Sequence, residues 1–234
     1  MVNAFLTQPA ASHVSTEGFL SLLAANDGLK GIGGFSLVCG RVGEPLAVIS
    51  NRTPDVRSLK WILEGPGETA GLSNAVITDR SWTKVTEGEE MMQQAVDKSD
   101  KVHSSEEALT EDLFRILSND TLPKRKSDDD WASQVKQLRK SIFIPAVGGE
   151  AAQKESAEDL AAAKTDGEIS HDSQSGPATS PKDVSGTYGT QKQTVITVSN
   201  DGEVTYIERT LFDNAGRLIN LEEQSKSFSF SIRS

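Results

Sequence analysis

The chain has 234 residues, enough for one sizeable domain or two small ones. Its net charge of −10 disfavours nucleic acid and anionic membrane as partners, and its single cysteine, Cys39, excludes an intrachain disulfide framework. No run of about 18 apolar residues occurs, so no transmembrane segment is expected, and a hydrophobic content of 36% is low enough that part of the chain should stay outside any core.

The opening Met1-Val2-Asn3-Ala4-Phe5-Leu6 lacks the basic start and long apolar centre of a secretory signal. It predicts a helical turn or two over 1–8 with Phe5 and Leu6 buried, an odd apolar start for a domain edge. Ser15 or Thr16 then reads as an N-cap. Phe19, Leu22 and Leu23 follow at helical spacing, with Asn26 and Gly28 as the stop. Residues 34–50 read as a hairpin: Phe35 to Cys39, a turn over Arg41 to Pro45, and Leu46 to Ser50. Asn51 to Asp55 breaks it, and Lys60 to Leu63 is a third short strand.

Gly65-Pro66-Gly67-Glu68-Thr69-Ala70-Gly71-Leu72-Ser73-Asn74-Ala75 is the first place to look for a site. It reads as a glycine-punctuated turn running into a short strand that ends on a polar pair. Glycine lets a backbone or ligand approach closely, and an Asn side chain offers both donor and acceptor. Asn74 is equally suited to capping the next element.

Trp82, Val85, Met92, Ala95 and Val96 share one face of a helix over 82–98. Ser104-Ser105-Glu106-Glu107 is a capping-box pattern with Ser104 and Glu107 bonded reciprocally. Leu109, Leu113, Ile116 and Leu117 then form an apolar stripe, with Pro123 beyond the helix end. A charged stretch over 124–140 isolates Trp131, and its Asp128 to Asp130 run reads as a solvated face. Ser141 to Pro145 is a strand candidate.

Residues 146–186 hold no aromatic and are rich in Ala, Ser, Gly, Asp and Glu. Such a segment cannot bury enough apolar area to offset its ordering entropy, so it is expected to be a disordered acidic insertion. Strands at Thr194 to Val198 and Val204 to Ile207 flank the turn Asn200-Asp201-Gly202. A further turn falls at Asp213 to Gly216. Phe228, Phe230 and Ile232 alternate along a last strand with one buried face. Strands, then helices, then strands make an α+β arrangement, with 1–145 and 187–234 as a single domain around the insertion.

Chemical motifs are sparse. His13, His103 and His171 lack metal-ligand spacing, so no metal site is expected. There is no P-loop, no dinucleotide fingerprint and no Gly-x-Ser-x-Gly. Cys39 in an apolar strand reads as a small buried hydrophobe, or more sharply as a thiol that meets a ligand. Trp61 and Trp82 read as core.

Four stretches in order resemble one family. They are Gly71-Leu72-Ser73-Asn74-Ala75 with Trp82-Thr83-Lys84-Val85; Phe35-Ser36-Leu37-Val38; Leu113 to Pro123; and Tyr188-Gly189-Thr190 with Thr194-Val195-Ile196 and Asp201-Gly202 to Glu208-Arg209. Together these resemble the NRDE family, named for an Asn-Arg-Asp-Glu motif, to which the transport and Golgi organisation protein 2 homologues belong. The resemblance implies an N-terminal-nucleophile (Ntn) hydrolase-like αββα sandwich. It makes Asn74 a candidate oxyanion donor, with Ser73 and Gly71 beside it as ligand-binding residues. It also implies a non-catalytic role in Golgi organisation and protein secretion, with haem or an acyl-CoA as the amphipathic cargo. The expected setting is the cytoplasm, in association with the Golgi or mitochondria.

The sequence departs from that pattern in three places. Residue 2 is Val, so no cysteine follows Met1; Asn51-Arg52-Thr53-Pro54 only echoes the family motif; and Gly189-Thr190-Gln191 stands where the family has Gly-Thr-Arg. The expectation is an N-terminally truncated form with apolar faces and strand edges left open. The alternative, an Ntn-type amidase or acyltransferase, needs an activated N-terminal nucleophile that this chain does not place there. A third reading makes the acidic 146–187 loop a recruiter of protein partners.

Overall fold

The computed structural model describes residues 2–7, 14–25, 34–50, 59–123, 136–145, 188–213 and 218–232. The expected insertion at 146–186, the stretch around Trp131, His13, His171 and the break after Ser50 lie outside these residues. The arrangement is mixed helix and sheet, with two small antiparallel sheets, as the α+β expectation had it. The chain divides into two compact units, Met1–Arg80 and Ser81–Ser234.

In the first unit, α1 is Val2–Leu6 and α2 is Thr16–Ala25. Ser15 caps α2: its Oγ accepts from the Gly18 N–H at 3.0 Å. The sheet runs β1 (Ser36–Cys39), β2 (Leu46–Ser50), β3 (Lys60–Ile62), each strand antiparallel to the next. Leu37 stands opposite Ile49 and Cys39 opposite Ala47, so these four share one face. That face joins Phe19, Leu20 and Leu59 to make the core. Phe5 meets Phe19 edge-on, ring centroids 5.0 Å apart, which ties α1 to α2.

Two expectations change here. The inward stripe of α2 uses Leu20, fully buried, whereas Leu22 is 57% exposed. Leu6 is exposed, not buried, because α1 is a single short turn that can turn only Phe5 toward the core. Leu63 adopts a left-handed backbone (φ 56) and ends β3. Residues 68–75 then form irregular chain, not the expected strand.

In the second unit, α3 is Thr83–Val102 and α4 is Glu106–Leu117. His103 closes α3 in a left-handed conformation (φ 48), and the Ser104 N–H reaches back to the Ser99 carbonyl at 3.1 Å. That bond ties Ser104 to the end of α3. The N-cap of α4 therefore falls on Ser105, whose Oγ accepts from the Ala108 N–H, one residue later than the capping box had placed it. Along α4 the expected leucines are half-buried, and Phe114, 1% exposed, takes the centre of the core.

The strand candidate at 141–145 is instead a tight turn pinned by a buried hydroxyl. Ser141 Oγ accepts from the Thr121 N–H at 3.0 Å and donates to the Phe143 carbonyl at 2.6 Å. The Phe143 N–H donates to the Asn119 carbonyl, and Ile144 and Thr190 bond to each other in both directions.

The second sheet runs β4 (Lys192–Val198), β5 (Glu203–Thr210), β6 (Ser225–Ser231), with α5 (Leu221–Gln224) leading into β6. Between β4 and β5 only Gly202 has a positive φ (84), and a Cβ there would come within 3.0 Å of the Ile232 carbonyl oxygen. Odd positions of β4 and β5 face α4: Gln193 donates to Ser118, Thr197 to Glu106, and Arg209 to Glu111. The last strand departs from its expected buried face, since Phe228 and Phe230 are 59% and 55% exposed.

Candidate functional site

The first unit contains a cavity of about 280 Å³ at the end of the β1–β2 hairpin. Its wall is built from three pieces. α1 supplies Val2, Phe5 and Leu6; β1 supplies Leu37, Val38 and Cys39; Gly40 and Leu46 close the turn. Among the described residues the lining therefore carries no charged side chain. Two features of the local sequence create it. β1 is an edge strand among the described residues, with no other described strand paired along its outer side. At Gly40 a Cβ would lie 2.5 Å from Leu46 Cδ2 and 3.1 Å from the Pro45 carbonyl oxygen, so only glycine lets the two strands close there.

Cys39 is the one reactive group in the wall, and burial pushes its thiol above the ordinary value of 9.0. At neutral pH it is a thiol, a small soft apolar surface, and not a thiolate nucleophile. Arg41 follows the lining residue Gly40. Its guanidinium donates to the Val14 carbonyl at 2.8 Å and is otherwise exposed.

Gly71, Ser73 and Asn74 sit on the irregular chain after β3, outside the cavity wall. The turn at Gly65 to Glu68 is closed by the Glu68 carboxylate, which accepts from the Glu64 N–H at 2.8 Å, with Gly67 at φ 79. Further on, the Ala75 N–H donates to the Ser73 carbonyl at 2.8 Å, which places Asn74 at the apex of a tight turn. Asn74 is exposed there; Ser73 and Gly71 are half-buried.

The sequence reading centred on this turn and missed the cavity. Two signals pointed to it: apolar Phe5 and Leu6 at the chain start, and a lone cysteine in an apolar strand. Among the described residues no group of His, Cys, Asp and Glu is arranged to hold a metal ion, and His103 serves as the end of α3. Among them also, no helix is long and apolar enough to cross a membrane.

A sequence model of the family described as Transport and Golgi organisation 2 matches residues 1–213. No curated protein matches the chain.

Proposed function

The chain belongs to the Transport and Golgi organisation 2 family, and from that premise we propose that it acts in Golgi organisation and protein secretion without catalysis, by holding the apolar part of an amphipathic metabolite. The observation that carries this reading is the uncharged cavity between α1, β1 and Leu46. Its volume of about 280 Å³ lies at the lower edge of the roughly 300–1,000 Å³ of small-molecule sites. That size favours an acyl tail, as in an acyl-CoA, over a whole haem macrocycle. Arg41, next to the lining, has donors to spare for an anionic head group.

Gly71, Ser73 and Asn74 enter the same reading as polar contacts, since the exposed Asn74 amide offers donor and acceptor to a head group. The protonated state of Cys39 supports binding over thiolate chemistry, and so weighs against the amidase or acyltransferase alternative. The setting proposed is the cytoplasmic side of the Golgi or mitochondria.

The test is titration of the folded chain with a long-chain acyl-CoA and, separately, with haem. Saturable acyl-CoA binding is expected, weakened about tenfold or more by Val38→Phe, which fills the cavity from its half-open side. Absence of binding in a folded sample removes the carrier reading. In cells lacking the protein, secretion restored equally by the wild type and by Val38→Phe would separate the cavity from the Golgi role.

A further inference from the structure

The cavity beside β1 has a fixed wall and an exposed rim. Phe5 is held edge-on against Phe19, ring centroids 5.0 Å apart. Leu37 and Cys39 stand opposite Ile49 and Ala47, on the face that makes the core. These side chains cannot retreat without opening the packed residues behind them. Leu6 and Val38, also in the wall, are exposed and mark its solvent side. Leu46 closes the turn. Its Cδ2 lies 2.5 Å from where a Cβ would stand on Gly40, so it rests directly on the Gly40 backbone and leaves no gap between the two strands.

A wall that cannot yield gives the cavity a definite capacity. A chain methylene takes about the space of one water molecule in the liquid, about 30 Å³. The volume of about 280 Å³ therefore holds about nine carbons of a single chain. We propose that the cavity limits the length of its ligand: it takes one unbranched acyl chain of medium length, about nine carbons, and Leu46 sets that limit. The inference rests on the carrier reading above and narrows it to a class of ligand.

Carbons within the limit exchange water for an apolar wall, and each should tighten binding about fourfold. Carbons beyond it stay at the exposed rim and add nothing, so a longer acyl-CoA binds no more tightly than one that just fills the cavity. Leu46 is the lining residue through which the limit can be moved. It borders the cavity yet takes no part in the core cluster of Phe19, Leu20 and Ile49, so cutting it back enlarges the cavity without hollowing the core.

Titration of the folded chain with a series of acyl-CoAs, from about four to about sixteen carbons, tests this, with unacylated CoA as the reference. Affinity should climb about fourfold per carbon and level off near nine. Leu46→Ala removes three side-chain carbons and should move the break about three carbons further along the series; the milder Leu46→Val should move it by about one. Binding by no member of the series removes the carrier reading and this inference with it. Affinity that keeps climbing to the longest chain, or that ignores length altogether, overturns the limit and leaves acyl-CoA binding standing. A break that stays in place in both variants overturns the assignment to Leu46.

Discussion

Arg209 lies over the ring of Phe114 with its guanidinium carbon 3.7 Å from the ring centroid, and it pairs with Glu111 one helical turn away on the same helix. The sheet is thus fastened to α4 by one planar cation that stacks and bonds together. Lysine cannot reproduce the stack with the fork. Arg209→Lys should cost about 1 kcal/mol. Phe114→Ala, at a site 1% exposed, should cost about 3–5 kcal/mol. Urea unfolding of the two variants measures both. No measurable loss from Arg209→Lys, beside the full loss from Phe114→Ala, would show that the stack contributes nothing beyond burial.

Leu20 and Leu22 give opposite outcomes on one helix. Leu20 is fully buried in the core with Ile49 and Ala47, while Leu22 is 57% exposed. Leu20→Ala should cost about 2–5 kcal/mol, and Leu22→Ala should stay within about 0.5 kcal/mol. Thermal unfolding followed by helical circular dichroism distinguishes them. A larger loss at Leu22 would mean that α2 turns its other face inward.

Acid should weaken the second sheet. The hydrogen bond and charge of Lys192, helped by Tyr206 and Lys226, hold the Glu208 carboxyl below its ordinary value of 4.5. A carboxyl lowered in the folded state favours folding fully above the unfolded value. That contribution is lost as pH falls through the folded value. Lys98 and Arg115 act on Asp112 in the same sense from 3.8. Stability measured against pH should therefore decline below about pH 4.5, and Lys192→Met should flatten part of that decline. An unchanged slope in the variant would contradict the assignment.

Cys39 should alkylate slowly. Its thiol is raised above 9.0 by burial, and alkylation proceeds through the thiolate. The rate with iodoacetamide should keep climbing with pH past the point where a free thiol levels off. A bound acyl-CoA should slow it further if the cavity is the site. A rate equal to that of free cysteine at neutral pH would place the thiol outside the wall.

What the sequence made legible followed from periodicity and turn chemistry. The hairpin over 34–50 and the turn at Gly202 were readable because strand alternation and a φ > 0 residue are local facts. What it hid depended on neighbours distant in sequence. Ser105 replaces Ser104 as a cap because the end of α3 already holds the Ser104 N–H. The strand expected at 141–145 becomes a turn because Ser141 is claimed by Thr121, twenty positions back. The cavity joins α1 to β1 across some thirty residues, and no window of sequence contains both of its sides. The glycine stretch to Asn74 was visible by composition, but composition could not show that Asn74 stands at an exposed apex.

The reciprocal pair between Ile144 and Thr190 has a consequence for how this protein can vary. Those two bonds fix both ends of everything encoded between them. If 146–186 is the disordered insertion its composition leads one to expect, doubling the length of that loop should change the closure cost by only about 0.6 kcal/mol. Insertions, deletions and grafted domains at this place should then be nearly neutral for the rest of the unit, which thermal unfolding of a chain lengthened there would check. On that expectation the interval is the place to insert a reporter or affinity handle, with the Ile144–Thr190 pair left intact on either side of it.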